Sequence, residues 1–187
     1  MLENQERCMA LAEPLLRDFH DAWHHAFGEY QKYPPEFTAE HDDTTAANCI
    51  RSHMWTEVAR RFDGRPGYTL IRLQGLNLLN YKDQTVWRFK RVDGSGRHSN
   101  YQTKQQRDFD DQLDLPGLPA EAIRLTSGYQ PGEAGQIIER IIVACPLGRS
   151  IVWATQVNVV DDVASWIDIT PARLAGTERI DFRRHRR

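Results

Sequence analysis

Nothing in the chain is long and apolar enough to cross a bilayer: its longest purely aliphatic run, Ile141 to Ala144, is four residues, where a spanning helix needs about 20. The start of the sequence places Glu3 and Glu6 where a secretion signal carries a positive region and an apolar run. The expectation is a cytoplasmic protein with no membrane partner. Cysteine is equally sparse. Cys8, Cys49 and Cys145 are widely spaced and form no CxxC pair, which argues against a disulfide framework and fits a reducing compartment. Familiar catalytic motifs are missing too. Gly94-Ser95-Gly96 satisfies neither GxGxxG nor a Walker pattern, so it reads as a turn rather than a phosphate cradle. There is no GxSxG elbow, and a Cys49–His53 pair would need a third partner that only the fold can supply. Internal repeats and low-complexity linkers are also absent.

What is present is an ordinary globular composition, 40% hydrophobic and 27% charged, with a chain long enough to bury a sizeable core as a single domain. Net charge is only −2, but its layout is uneven. Residues 1–63 hold 6 Lys/Arg against 12 Asp/Glu, residues 64–107 hold 9 against 2, and residues 108–187 hold 9 against 12. A positive middle between negative flanks either binds an acidic partner or docks against the chain's own acids.

Periodicity predicts helices first and strands after. Leu15, Leu16, Phe19, Trp23, Ala26 and Phe27 form one apolar stripe, with Pro14 suited to the first turn and Gly28 to the end; residues 1–12 would form a separate short helix. Ala47, Ile50, Met54, Trp55, Val58 and Phe62 form a second stripe, capped by Asp43 or Thr44 and stopped at Asp63-Gly64. Strand-like runs follow at Tyr68–Leu73, Leu76–Tyr81 and Thr85–Val92, then a short helix in Gln102–Gln112 with Thr103 as its cap. Ala122–Tyr129, Gln136–Cys145 and Ser150–Val160 are joined by short loops and imply an antiparallel meander. In the middle strand, Ile137, Ile141 and Val143 would share one face, Ile138 and Ile142 the other. Asp161-Asp162 would cap a helix through Trp166, Thr170-Pro171 would start another, and the Arg-rich end would be a basic tail. The expected fold is α+β: a helical part (1–63) packed on a mainly antiparallel sheet of about six strands (67–160), followed by short helices and the tail (161–187).

Two constellations carry candidate chemistry. The first is Gln84–Gln106, where alternation puts Trp87 and Phe89 on one strand face as core anchors and Arg88 and Lys90 on the other, as displayed cations. With Arg97, Lys104, Arg107 and Tyr101 they form a nucleic-acid-binding surface: cations for phosphates, an aromatic for stacking. The second is histidine-rich. His20 and His24 are one helical turn apart, and Cys49, His53 and Glu57 repeat that spacing. If the two helices pack together, His20, His24, His53 and Glu57 would converge on a divalent metal. HDAWH lacks the glutamate of HExxH, and hydrogen-bonded surface or core histidines are the ordinary alternative. A nuclease would use Glu57, Asp83 and Glu139 with Lys90, but Arg88-Phe89-Lys90 has arginine where a (D/E)xK strand needs its carboxylate.

VWRFKRVD, SNYQTKQQRDFDDQ, LPGLP, LTSGYQ and SIVW, spread over residues 75–160, resemble uncharacterised phage and prophage proteins encoded near helix-turn-helix repressor and protease-like regulator genes. The resemblance implies a context of phage immunity, toxin–antitoxin function or regulation, and no catalytic residue. The expected function is a non-enzymatic binding module, without a resident cofactor, that engages nucleic acid or an acidic protein partner through the central basic surface. The alternatives are a metal-dependent nuclease or hydrolase built on the His/Glu cluster, and a protein–protein regulator acting through the acidic helices.

Overall fold

Asn4 opens the first helix by accepting a hydrogen bond from the Arg7 N–H at 2.8 Å, and α1 runs Gln5–Gln31. The computed structural model describes residues 4–73, 75–98 and 103–172. Pro14 sits inside α1 rather than at its start, so the break expected before it does not occur. An interior proline costs about 3 kcal/mol. Cys8, Met9 and Ala12 before it and Leu15, Leu16 and Phe19 after it are all buried, and fully burying even one large apolar side chain contributes about 1.5–3 kcal/mol. The continuous stripe therefore wins. After the short α2 (Pro35–Thr38), Asp42 caps α3 (Asp43–Phe62) by accepting from the Thr45 N–H at 2.7 Å.

Seven strands follow: β1 (Tyr68–Leu73), β2 (Leu76–Tyr81), β3 (Thr85–Arg91), β4 (Ile123–Pro131), β5 (Ile138–Leu147), β6 (Ser150–Val160) and β7 (Val163–Asp168). They form one sheet in sequential order. Every neighbouring pair is antiparallel except β3–β4, which is parallel. The long connection between those two strands holds α4 (Lys104–Asp110), capped by Thr103. The α+β expectation holds, with seven strands in place of about six. The additional one is β7, where a helix was predicted. Asp161 and Asp162 do not cap a helix; both adopt positive φ, 48° and 65°. That is the backbone of a tight two-residue hairpin turn, and it pairs Val160 with Val163 and, further on, Thr155 with Asp168. Residues 170–172 form no helix, and the predicted basic tail lies outside the described residues.

Helices α1 and α3 cover one face of the sheet. Phe19 meets Phe62, Trp87 and Phe89 edge-on at 5.9, 5.0 and 5.3 Å between ring centres, within the range where aromatic pairs add to burial. Trp23 donates its indole N–H to Ser127 at 3.0 Å, which fixes α1 over β4. Ile138, Ile141 and Val143 join this core, whereas Ile137 lies outside β5 and is 63% exposed. A register shift between Gln130 and Pro131 accounts for that exchange of Ile137 for Ile138.

The opposite face holds two smaller apolar clusters. One joins Leu76, Leu78 and Val86 to Phe109, Leu115 and Ala122; the other joins Val92, Ile142, Ala144 and Ala154. On β3 the alternation Val86, Arg88, Lys90, Val92 runs from one cluster to the other, so two cations occupy the stretch between them.

Candidate functional site

Arg88 and Lys90 are not displayed. They are 2% and 5% exposed, which corrects the expected solvated cationic face. The alternation was right, since Trp87 and Phe89 are core residues on the other side, but the second face of β3 is covered as well. Arg88 satisfies its burial in part. Its Nε donates to Thr126 Oγ1 at 2.9 Å, its Nη2 donates to Asp110 Oδ1, and the guanidinium lies 4.8 Å from the centre of the Phe109 ring. Burial pulls the guanidinium's pKa down and the Asp110 charge opposes that pull. The other carboxylate oxygen of Asp110 lies 3.2 Å from His98 Nε2. Arg88 Nη1 and His98 Nδ1 are buried without a partner among the described residues.

Beside this pair the sheet opens. β2 and β3 are paired only from Leu79↔Trp87 to Tyr81↔Thr85, while β3 stays paired with β4 as far as Arg91↔Tyr129. Leu76 and Asn77 of β2 thus part from Arg88, Phe89 and Lys90 of β3, and a narrow cleft lies between them. Arg51 and Trp55 of α3, one helical turn apart, complete its lining. Leu76, from the α4 face, and Phe89, from the α3 face, supply its apolar lining; the remaining lining side chains carry N–H donors, with Asn77 also an acceptor. Among the described residues no carboxylate lines it. The Trp55 indole N–H is buried without an acceptor among the described residues, as is Arg88 Nη1. Lys90 makes no ion pair or hydrogen bond through its amine among the described residues. Burial, reinforced by the Arg88 and Arg51 charges and opposed by Asp110, lowers its pKa from 10.5 to about 8.

Arg97, Lys104 and Arg107 are exposed and make no ion pair among the described residues. The turn before Arg97 is firmly built: Asp93 Oδ1 accepts from the Ser95 N–H at 2.9 Å and the Arg97 N–H at 3.0 Å. Gly96, at φ 82°, sits so close to β5 that a Cβ would lie 2.8 Å from Ala144 Cβ. Tyr101 lies outside the described residues. Arg88 and Lys90 are therefore brought together in the cleft, while Arg97, Lys104 and Arg107 lie on the surface of the segment that follows.

The histidine cluster does not form as expected. His20 and His24 do meet, ring centres 4.6 Å apart, and burial, followed by the proximity of His20, lowers the His24 pKa. His53, however, is hydrogen-bonded to the Tyr33 hydroxyl at 2.9 Å. Glu57 accepts from Arg60 Nη2 at 2.6 Å and from Arg61 Nε at 3.4 Å, and His25 lies 3.5 Å away. Asp83 accepts from Asn80 at 2.6 Å and Glu139 from Gln130 at 3.1 Å. Among the described residues no three His, Cys, Asp or Glu side chains are grouped to hold a metal ion. The reason is physical: α1 and α3 pack through their apolar stripes, and their polar residues are used in pairs along the seam.

Arg51 and Trp55 were not singled out from the sequence. Trp55 belongs to an apolar helical stripe and Arg51 is one arginine among many; only the parting of β2 from β3 gives them a common destination. Arg124 has no local signature either: it is 2% exposed on β4, with Nε and Nη2 unpartnered among the described residues, and nothing in the strand pattern marks it. No family model, curated protein or solved structure matches the chain.

Proposed function

We propose that the protein is a non-enzymatic binding module that engages an acidic partner through its central basic segment. One observation carries this reading. Of the nine cations in residues 64–107, three dock on the chain's own acids: Arg65 on Asp18, Arg88 on Asp110 and Arg91 on Asp43. Arg72, Lys82, Lys90, Arg97, Lys104 and Arg107 make no ion pair among the described residues, so internal docking consumes a minority of the positive charge. The unneutralised cations attract an anion over a distance of about 10 Å at 0.1 M salt.

Fluorescence anisotropy tests this with labelled single-stranded RNA, single-stranded DNA and an oligoglutamate peptide. Binding is expected at low salt, weaker at moderate salt, and further weakened by the triple substitution Arg97→Ala/Lys104→Ala/Arg107→Ala. If three phosphate contacts are lost, the slope of log K against log salt for the nucleic acids falls by roughly 2. Absence of binding to all three probes at low salt overturns the proposal.

A further inference from the structure

We propose that the cleft between β2 and β3 is an anion-binding site that takes a single compact oxyanion, a carboxylate or a phosphate group, on Arg51, Lys90, Arg88 and Trp55. This deepens the binding-module reading and rests on it.

The donor set is one-sided. Arg51, Arg88 and Lys90 line the cleft with no carboxylate among the lining residues. Asp110, on α4, is committed to Arg88 and His98, so it offsets part of the charge without filling the cleft. Two N–H groups of lining residues, Arg88 Nη1 and Trp55 Nε1, are buried with no acceptor among the described residues. A buried donor without a partner is destabilising in itself, and a buried cation more so. An oxyanion gives those donors acceptors and the three cations a counter-charge at once. Neither water nor a neutral ligand does both. Leu76 on the α4 side and Phe89 on the α3 side leave apolar surface for the carbon skeleton that carries the charged group.

The site is not a groove for a polymer backbone, since it is narrow and closed on one side by α3. Its volume, about 10 Å³, is room for a single water-sized oxygen, so it takes the tip of one terminal or side-chain anion, with the exposed Arg97, Lys104 and Arg107 serving approach rather than seating. Lys90 has to be protonated to act as a counter-charge. The groups that set its proton affinity are Arg88 on β3, Arg51 on α3 and Asp110 on α4. Affinity therefore declines as pH rises past the region where that amine titrates, and a seated anion shifts the titration upward.

Isothermal titration calorimetry on the full chain at low ionic strength tests the site with inorganic phosphate, phenyl phosphate and benzoate, which separate phosphate from carboxylate as the natural group. One anion per chain is expected. Lys90→Met and Arg51→Ala are each expected to weaken it by about tenfold or more, the loss of one charge-assisted hydrogen bond. Lys90→Met removes an unpaired buried charge, so its thermal unfolding temperature should not fall, which separates lost binding from lost fold. If none of the three anions binds while the labelled polyanions still do, the cleft is not a site and the general reading survives. Failure of both sets overturns both. Small-anion binding unchanged in Lys90→Met and Arg51→Ala also overturns the cleft.

Discussion

Arg88 of β3 is ion-paired to Asp110 at the end of α4, with both side chains 2% exposed. This pair fastens the crossover helix onto the sheet. It also explains why a strand with an alternating cationic face has that face indoors: α4 brings a carboxylate to one edge of the guanidinium and the Phe109 ring to its plane. The pair is incomplete, because Arg88 Nη1 has no partner among the described residues.

Asp110→Ala leaves Arg88 as an uncompensated buried charge and is expected to cost about 3–5 kcal/mol. Replacing both partners, Arg88→Met with Asp110→Leu, removes the charge together with its partner and is expected to cost much less. Urea denaturation of the two variants checks the order; a double variant as unstable as the single one would contradict it.

Lys90 supplies a pH signature. Its pKa is about 8 in the fold against 10.5 free. Below pH 8 both folded and unfolded chains hold the proton, and the penalty of the buried charge is fully present. Between pH 8 and 10.5 the unfolded chain binds a proton that the folded chain does not, so this contribution raises stability with pH, by about 3 kcal/mol across the window. Burial raises the pKa of Cys145 and Tyr129, and those groups work in the opposite direction. The readout is therefore the difference between wild type and Lys90→Met. The variant is expected to be the more stable below pH 8, with the gap closing above it.

Much of the fold was legible because it is local. The two helical stripes, the α3 boundary at Asp63-Gly64, the Thr103 cap and all three strands of the β4–β6 meander follow from period and turn chemistry. The departures lie where tertiary burial or backbone sign decides: Pro14 inside α1, and Asp161-Asp162 as a left-handed turn instead of a cap. Of the cleft's lining, only Arg88 and Lys90 stand out in the sequence, and there as displayed cations. Arg88 and Lys90 were found from charge density, but their burial depends on α4 crossing the sheet. Arg51 and Trp55 depend on β2 leaving β3. Neither relationship has a local signature.

The Asp161-Asp162 turn offers a direct check on β7. Two consecutive positive φ angles, 48° and 65°, suit Asn-Gly better than Asp-Asp. Asp161→Asn with Asp162→Gly is expected to stabilise the protein by up to about 1 kcal/mol, seen as a higher denaturation midpoint. If the segment were helical, glycine there would destabilise it by about that amount.

Gly96 is restricted twice, by φ 82° and by the 2.8 Å approach of an added Cβ to Ala144. Gly96→Ala is expected to cost about 1–3 kcal/mol through left-handed strain and overpacking. Because this turn leads to Arg97 and His98, the same variant should also weaken polyanion binding at a temperature where it remains folded. Equilibrium denaturation and anisotropy on one preparation give both values.

The most direct test of the central claim is the indole N–H of the lining residue Trp55, a buried donor with no acceptor among the described residues. Its resonance in a 15N-labelled sample is assigned by its absence in Trp55→Phe. On titration with inorganic phosphate or benzoate, the binding account predicts a saturable downfield shift of that resonance, larger than those of the other four indoles, at pH 7 and much reduced in Lys90→Met. An indole that stays in place through the titration would contradict it.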